Sequence, residues 1–343
     1  MDKPTLMFSL AICTRDGADR LPDLFTALRA LIVPADTSVE IIVVNNASRD
    51  ATVAVAQREL AQFTIPSCIV TENESGLVFA RDAAARAACG QWLAFLDDDN
   101  LPATDWLVQI AAAVRSGGDR LGAFSGEVRP RWLVPPPSGI DRVENFLGCH
   151  KAGPAPFRYA AERGIVPPGA GLVVRREAWL AAVPLPGQLF FTGRISGHLL
   201  GGEDIECLTH LHRAGWEIWH FPAMLIHHVM PPARVKLDYL KNLCRAGGLV
   251  RHHLRMIRTR TAMRPLVATV YLTLDAARLA YHVARHPRMR GSNIVAQCRR
   301  EYLVGTLMSP IFLYRWKGQS VSPVRAGQAS GSWGAPSKGQ ADR

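Results

Sequence analysis

Asp97, Asp98 and Asp99 stand in a row directly after the run Gln91-Trp92-Leu93-Ala94-Phe95-Leu96. An apolar run bounded by turn residues reads as a buried strand. The acids therefore fall where a core strand leaves its sheet, which is where ligands bind in open α/β sheets. Side chains alternate along an extended chain, so Asp97 and Asp99 share one face and Asp98 takes the other. Two carboxylates facing one spot repel each other unless a cation lies between them. Hard oxygen donors suit Mg²⁺ or Mn²⁺, ions commonly shared with substrate phosphates. The competing reading is a solvated acidic turn.

Two further groups could do chemistry. Glu203 and Asp204 follow Gly201-Gly202 and precede a helical pattern over Ile205 to Ala214. Acids are favoured at a helix start by the dipole alone, so this pair also reads as ordinary first-turn residues. His227-His228 ends the stretch Met224 to His228, which reads as extended.

The elements that must hold these groups alternate. Leu6 to Cys13 reads as a strand, ending in the polar loop Thr14-Arg15-Asp16-Gly17. Leu21, Leu24, Phe25, Leu28 and Leu31 recur at helical spacing within Asp19 to Leu31. Val39 to Val44 is β-branched and ends in Asn45-Asn46-Ala47-Ser48-Arg49-Asp50. A helix over about 50–61, a weaker strand from Ser67 to Thr71 and an Ala-rich helix from Ala80 to Ala88 follow. Another helix, from about Thr104 to Val114, comes after the acidic strand. This alternation predicts an α/β fold with a mainly parallel sheet and right-handed crossovers. Neither a Gly-x-Gly-x-x-Gly nor a Gly-x-x-x-x-Gly-Lys-Ser/Thr loop follows the first strand, which argues against a dinucleotide fold or a phosphate-loop nucleotidase. Residues 129–139 (RPRWLVPPPSG) read as a proline-rich loop.

Assembled in order, these stretches resemble the family 2 glycosyltransferases of the GT-A fold, from about Leu6 to Gly248. The segments that carry the resemblance are AICTRDGADRL (11–21), IIVVNNASRDAT (41–52), ESGLVFARDAAARAACGQWLAFLDDDN (74–100), GGEDIECLTHLHRAG (201–215) and FPAMLIHHVMPPARVKLDY (221–239). Asn45 stands where the family usually has Asp, Asp82 where it usually has Asn, and Asp16 where Asn is frequent. The resemblance implies inverting transfer from a nucleoside-diphosphate sugar, assisted by Mn²⁺ or Mg²⁺. It implies Asp99, Asp97 and His228 as metal ligands, and Thr14, Arg15, Asn45, Asn46, Arg81, Asp97 and Asp98 at the donor, Asp98 touching the ribose or supporting its loop. Asp204 is the implied base, with Glu203 orienting it or binding acceptor; the two roles could be exchanged. Gly169-Ala170-Gly171 would let the backbone approach a sugar, or form a plain turn.

Composition frames this reading. The chain has 343 residues, 48% hydrophobic and 20% charged, enough for one large domain with an appendage. Seven scattered cysteines without a Cys-x-x-Cys pair suit a reducing compartment, and residues 1–30 lack the pattern of an export signal. A cytoplasmic location is expected. Residues 235–343 hold 19 Lys+Arg against 4 Asp+Glu, whereas residues 1–234 hold 21 against 25. A basic tail implies an anionic partner. No nucleic-acid signature is visible, and the apolar residues between the charges point to an anionic membrane surface. Residues 265–284 reach the ~20 residues of a membrane span, but Asp275, Arg278 and His282 interrupt them. The expected organisation is a GT-A domain over 1–234, a basic amphipathic helical region over 235–317 lying on the membrane face or capping the domain, and a disordered tail over 318–343. The expected function is addition of a sugar to a glycan or lipid-linked acceptor in cell-envelope polysaccharide synthesis. The rival is a non-catalytic protein on the same fold that binds sugar nucleotides or glycans.

Overall fold

The structure is a computed structural model that describes residues 6–193, 199–286 and 293–320. The first half follows the alternation read from the sequence: β1 (Leu6–Thr14), α1 (Leu21–Arg29), β2 (Thr37–Asn46), α2 (Thr52–Leu60), β3 (Ser67–Glu72), α3 (Leu77–Ala87), β4 (Trp92–Asp97), β5 (Asn100–Pro102) and α4 (Trp106–Ser116). There follow β6 (Leu121–Trp132), β7 (Phe157–Arg158), β8 (Val173–Arg175), α5 (Arg176–Ala182), α6 (Glu203–Arg213) and β9 (Glu217–Met230). The chain then turns helical: α7 (Leu237–Leu249), α8 (Arg251–Met256), α9 (Arg264–Arg285) and α10 (Ile294–Ser320).

The strands form one sheet in the order β3-β2-β1-β4-β8-β6-β9-β5, with β7 also on β9. The strands β3, β2, β1 and β4 are mutually parallel, as are β6 and β9; β8, β5 and β7 run antiparallel to their neighbours. Strands covered on both faces are apolar at every position rather than at alternate ones. In β1 and β2, Leu10, Ile12, Ile41 and Val43 face the core beneath α1, α2 and α4, whereas Ala11, Cys13, Ile42 and Val44 face the core beneath α3 and α6.

One expectation fails in the middle of the chain. Residues 129–132 are not loop: β6 runs through Pro130 to Trp132, with Pro130 in register with His228. The β8 strand reaches only Ala123 and Phe124 of β6, so beyond Val128, which makes a lone bridge to His150, β6 has a strand partner on one side only. An edge tolerates the donor that proline lacks.

The C-terminal helices pack against the sheet rather than trailing from it. Leu240, Leu243 and Cys244 of α7 bury against Met230 of β9, with Ile140, Val143 and Leu147. The α10 helix crosses α7 with no side chain between the backbones: a Cβ on Gly248 would lie 2.2 Å from the Tyr302 carbonyl, and one on Gly305 2.2 Å from that of Arg245. Among the described residues, no helix is long and apolar enough to cross a membrane. Asp275, which interrupts the apolar run of α9, is buried against α8, paired with Arg255 and Arg278. Of the expected disordered tail, 318–320 close α10 and 321–343 lie outside the described residues.

Candidate active site

Asp97 ends β4, and the turn that follows sends Asp98 and Asp99 to different partners. Asp98 turns toward the loop after β1, accepting hydrogen bonds from Thr14 Oγ1 at 2.6 Å and from Arg20 Nε and Nη2 at 2.6 and 2.9 Å. It ties β4 to that loop. Asp99 leads into β5, and β5 pairs antiparallel with β9 so that Asn100 lies opposite His228. The His228 ring is thereby brought to Asp99, with Nε2 3.3 Å from Oδ2. Arg234, in the short helical turn Pro232–Val235 that follows β9, reaches the same place. Its Nη2 donates to Asp99 Oδ2 at 2.7 Å, and its Nη1 lies 2.6 Å from His228 Nε2.

The second acid pair opens α6. Asp204 Oδ2 accepts the Gly169 backbone N–H at 2.7 Å. A side chain at 169 would meet both Arg81 and Asp204, its Cβ 2.4 and 2.6 Å from their terminal atoms, so the glycine there serves close approach. Arg81 is fully buried, over the Phe95 ring, with Nη2 4.0 Å from Asp97. Burial works against its charge, yet Asp204, Asp97 and Glu203 raise its pKa further. Burial and the adjacent Asp204 push Glu203 well above the usual carboxylate value; burial would also raise Asp204, but Arg81 and the hydrogen bonds it accepts hold it low. The pair therefore holds a proton on Glu203 in preference to Asp204. Burial, only partly offset by Arg81, also raises Asp97. All these groups except Asn45 line or border one cleft of about 720 Å³.

The fold and the cleft can be set beside known proteins. Residues 9–140 match the family model described as glycosyl transferase family 2. Over that stretch the chain is similar to this family. It is also 28% identical over 256 residues to the succinoglycan biosynthesis protein ExoM of Rhizobium meliloti, covering 72% of this chain and 75% of that one. It is 24% identical over 247 residues to the glycosyltransferase AglE of Haloferax volcanii, covering 71% and 73%. Among solved structures, the mannosyltransferase PcManGT of Pyrobaculum calidifontis, in complex with GDP-Man and Mn²⁺, superposes with a TM-score of 0.56 at 19% identity, covering 90% of this chain and 88% of that one. This likeness shows the GT-A fold. The chain is a glycosyltransferase of that fold.

In this glycosyltransferase the remaining expected residues gather around the cleft. Thr14, Arg15 and Asn46 line it, with Asn46 fixing the approach to α3 through bonds to the Glu74 carbonyl at 2.6 Å and the Gly76 N–H at 2.8 Å. Arg15 pairs with Ser75. Asn45 is buried and accepts from the Ser48 N–H at 3.3 Å; it shapes the loop after β2. Asp16, in the left-handed region, locks the same loops by accepting from the Arg49 N–H at 2.7 Å. Sequence reasoning missed Arg20, Arg234, Arg251 and Arg258. Arg251 and Arg258 of the basic region line the cleft rather than its exterior. Arg20 and Arg234 carried a usable signal, since they sit inside the 11–21 and 221–239 segments, whereas Arg251 and Arg258 lie outside every such segment.

Proposed function

We propose that this glycosyltransferase moves a sugar, with inversion, from a nucleoside-diphosphate donor to a glycan or lipid-linked acceptor in the synthesis of a cell-surface polysaccharide. The observation that carries the reading is one cleft that joins Asp99 and His228 at its sheet edge to Asp204 at the start of α6 and Arg81 of α3. The likeness to a succinoglycan biosynthesis protein supports the polysaccharide setting, and the Mn²⁺ and GDP-Man of the mannosyltransferase support the donor class.

Among the described residues no three His, Cys, Asp or Glu side chains stand grouped for a metal. Two donors do converge. With Arg234 Nη1 at 2.6 Å, His228 Nε2 accepts, so its lone pair points to where Asp99 Oδ2 points, and its Nδ1 is the buried nitrogen without a partner. A carboxylate and a neutral imidazole suit Mn²⁺ or Mg²⁺, which habitually complete their shells with phosphate oxygens and water. Asp99 and His228 would hold the ion, with Asp97 nearby. Such an ion, when bound, supplies positive charge to the diphosphate leaving group.

The chain's own residues do the rest. Arg81, kept charged among acids, adds a fixed positive charge between the two carboxylate groups. Asp204 enters the reaction ionised, which a general base must be. It takes the proton of the acceptor hydroxyl as that oxygen attacks the anomeric carbon and the bond to the diphosphate breaks. Glu203 keeps its proton and steadies Asp204. On the opposite wall, burial and the neighbouring Arg251 lower the pKa of Arg258. Guanidinium groups turned into a cleft suit an anionic acceptor group such as a lipid-linked phosphate. The helices after residue 234 thus close the donor domain and, through the outer face of α9, rest on the cytoplasmic face of the membrane.

Asp204→Asn tests the reading. The amide oxygen still accepts the Gly169 N–H but cannot take a proton. Donor binding should survive, while transfer falls by about 10²- to 10⁴-fold, the range of lost base catalysis. Transfer at the wild-type rate would remove Asp204 from the mechanism.

A further inference from the structure

The proposed cation corner is already filled by the protein itself. Asp99 Oδ1 is satisfied by Asn100 Nδ2 at 3.0 Å, which leaves Oδ2 as the free acceptor. That oxygen and His228 Nε2 are both acceptors, 3.3 Å apart, and would repel without positive charge between them. Arg234 supplies it, with one amino group on each at 2.7 and 2.6 Å. His228 sits on β9 and Asp99 directly before β5, locked together by the Asn100–His228 register and by the bond from the Val229 N–H to the Asp99 carbonyl at 2.9 Å. Arg234 is different. It extends from a short turn, and its side chain is 22% exposed, against 11% for Asp99 and 9% for His228. It can leave by side-chain rotation alone, with no change to either strand.

We infer that Arg234 and a divalent cation compete for the same seat between Asp99 Oδ2 and His228 Nε2. This rests on the cation site proposed above and goes beyond it. The guanidinium neutralises the corner when no ion is present, and a cation must displace it to reach either donor. Metal binding to the free protein is therefore weakened by its own arginine. A negatively charged diphosphate, by giving the displaced guanidinium a partner, makes that displacement easier.

The test is Mn²⁺ binding to the full chain without nucleotide, followed by calorimetry and by the electron paramagnetic resonance signal of free Mn²⁺. Arg234→Ala and Arg234→Gln should each bind Mn²⁺ about tenfold or more tightly than wild type, because the ion no longer has to displace a guanidinium paired with both donors. Adding Asp99→Asn to Arg234→Ala should abolish the gain. Two substitutions guard against a folding artefact, and circular dichroism checks both. Unchanged or weaker Mn²⁺ affinity in the folded single variants would overturn the competition while leaving the cation site standing. A gain that survives Asp99→Asn would place the ion elsewhere and overturn the site itself.

Discussion

Charge in this cleft is arranged residue by residue, with each ionised group set against a specific opponent. Asp98 is spent on Arg20 and Thr14 as a clamp, and Asp99 is left to the cation corner. Arg81 draws its retained charge from Asp204 and Asp97, acids on different elements, so one buried cation stabilises both ends of the site. A neutral counterpart lies outside the cleft's centre. His220 of β9 is fully buried among Phe157, Tyr159 and His150, and its Nε2 has no partner. Burial, with His150 beside it, pushes its pKa down from 6.5 to about 4. Between those values the unfolded chain binds a proton that the folded chain refuses, so stability must fall as pH drops through that window. The loss should reach roughly 3 kcal/mol. His220→Phe, which keeps the ring packing, should flatten that slope in urea melts followed between pH 7 and 4; an unchanged slope would show that His220 is not the group responsible.

At the level of elements, local pattern and long-range pairing differ in what they betray. The strands β1, β2 and β4 were legible because each is a continuous apolar run, and such runs mark strands covered on both faces. Their polar ends therefore place Thr14, Asn46 and Asp97–Asp99 at one edge of the sheet. The three-residue β5 was not legible, since Asn-Leu-Pro carries no periodicity. Yet its pairing with β9 is what brings His228 to Asp99. The contact of Arg234 with Asp99 escaped for the same reason: nothing local in Pro-Pro-Ala-Arg tells which acid the arginine will meet. The partner of Asp275 of α9 is hidden in α8, far from it in any local pattern. The other side of α9 exposes Leu266, Val270, Leu274 and Tyr281, spaced to share one helical face. If that face meets a membrane, changing all four to Ser should weaken binding to phosphatidylglycerol vesicles by about tenfold or more in co-sedimentation. Equal sedimentation of wild type and variant would remove α9 as the contact.

The whole molecule joins a sheet whose strand ends collect acids to a helical cap whose inner wall is basic. Residues from β1, α3, β4, β9, α6, α7 and α8 meet in one cleft, and no single segment contains the site. The order of the motifs along the chain was enough to indicate the fold. Closure of the cleft by α7, α8 and α10 was not indicated, because a basic amphipathic pattern fits a membrane surface and a helical cap equally well. The central claim is that this cleft binds a nucleoside diphosphate through a cation held at Asp99. The measurement that tests it most directly is calorimetric binding of UDP, GDP and TDP, each with and without Mn²⁺, to wild type and to Asp99→Ala. The account predicts that one diphosphate binds in the presence of Mn²⁺ and that Asp99→Ala abolishes that metal-dependent binding. Binding indifferent to both Mn²⁺ and Asp99, or no binding of any of the three, would contradict it.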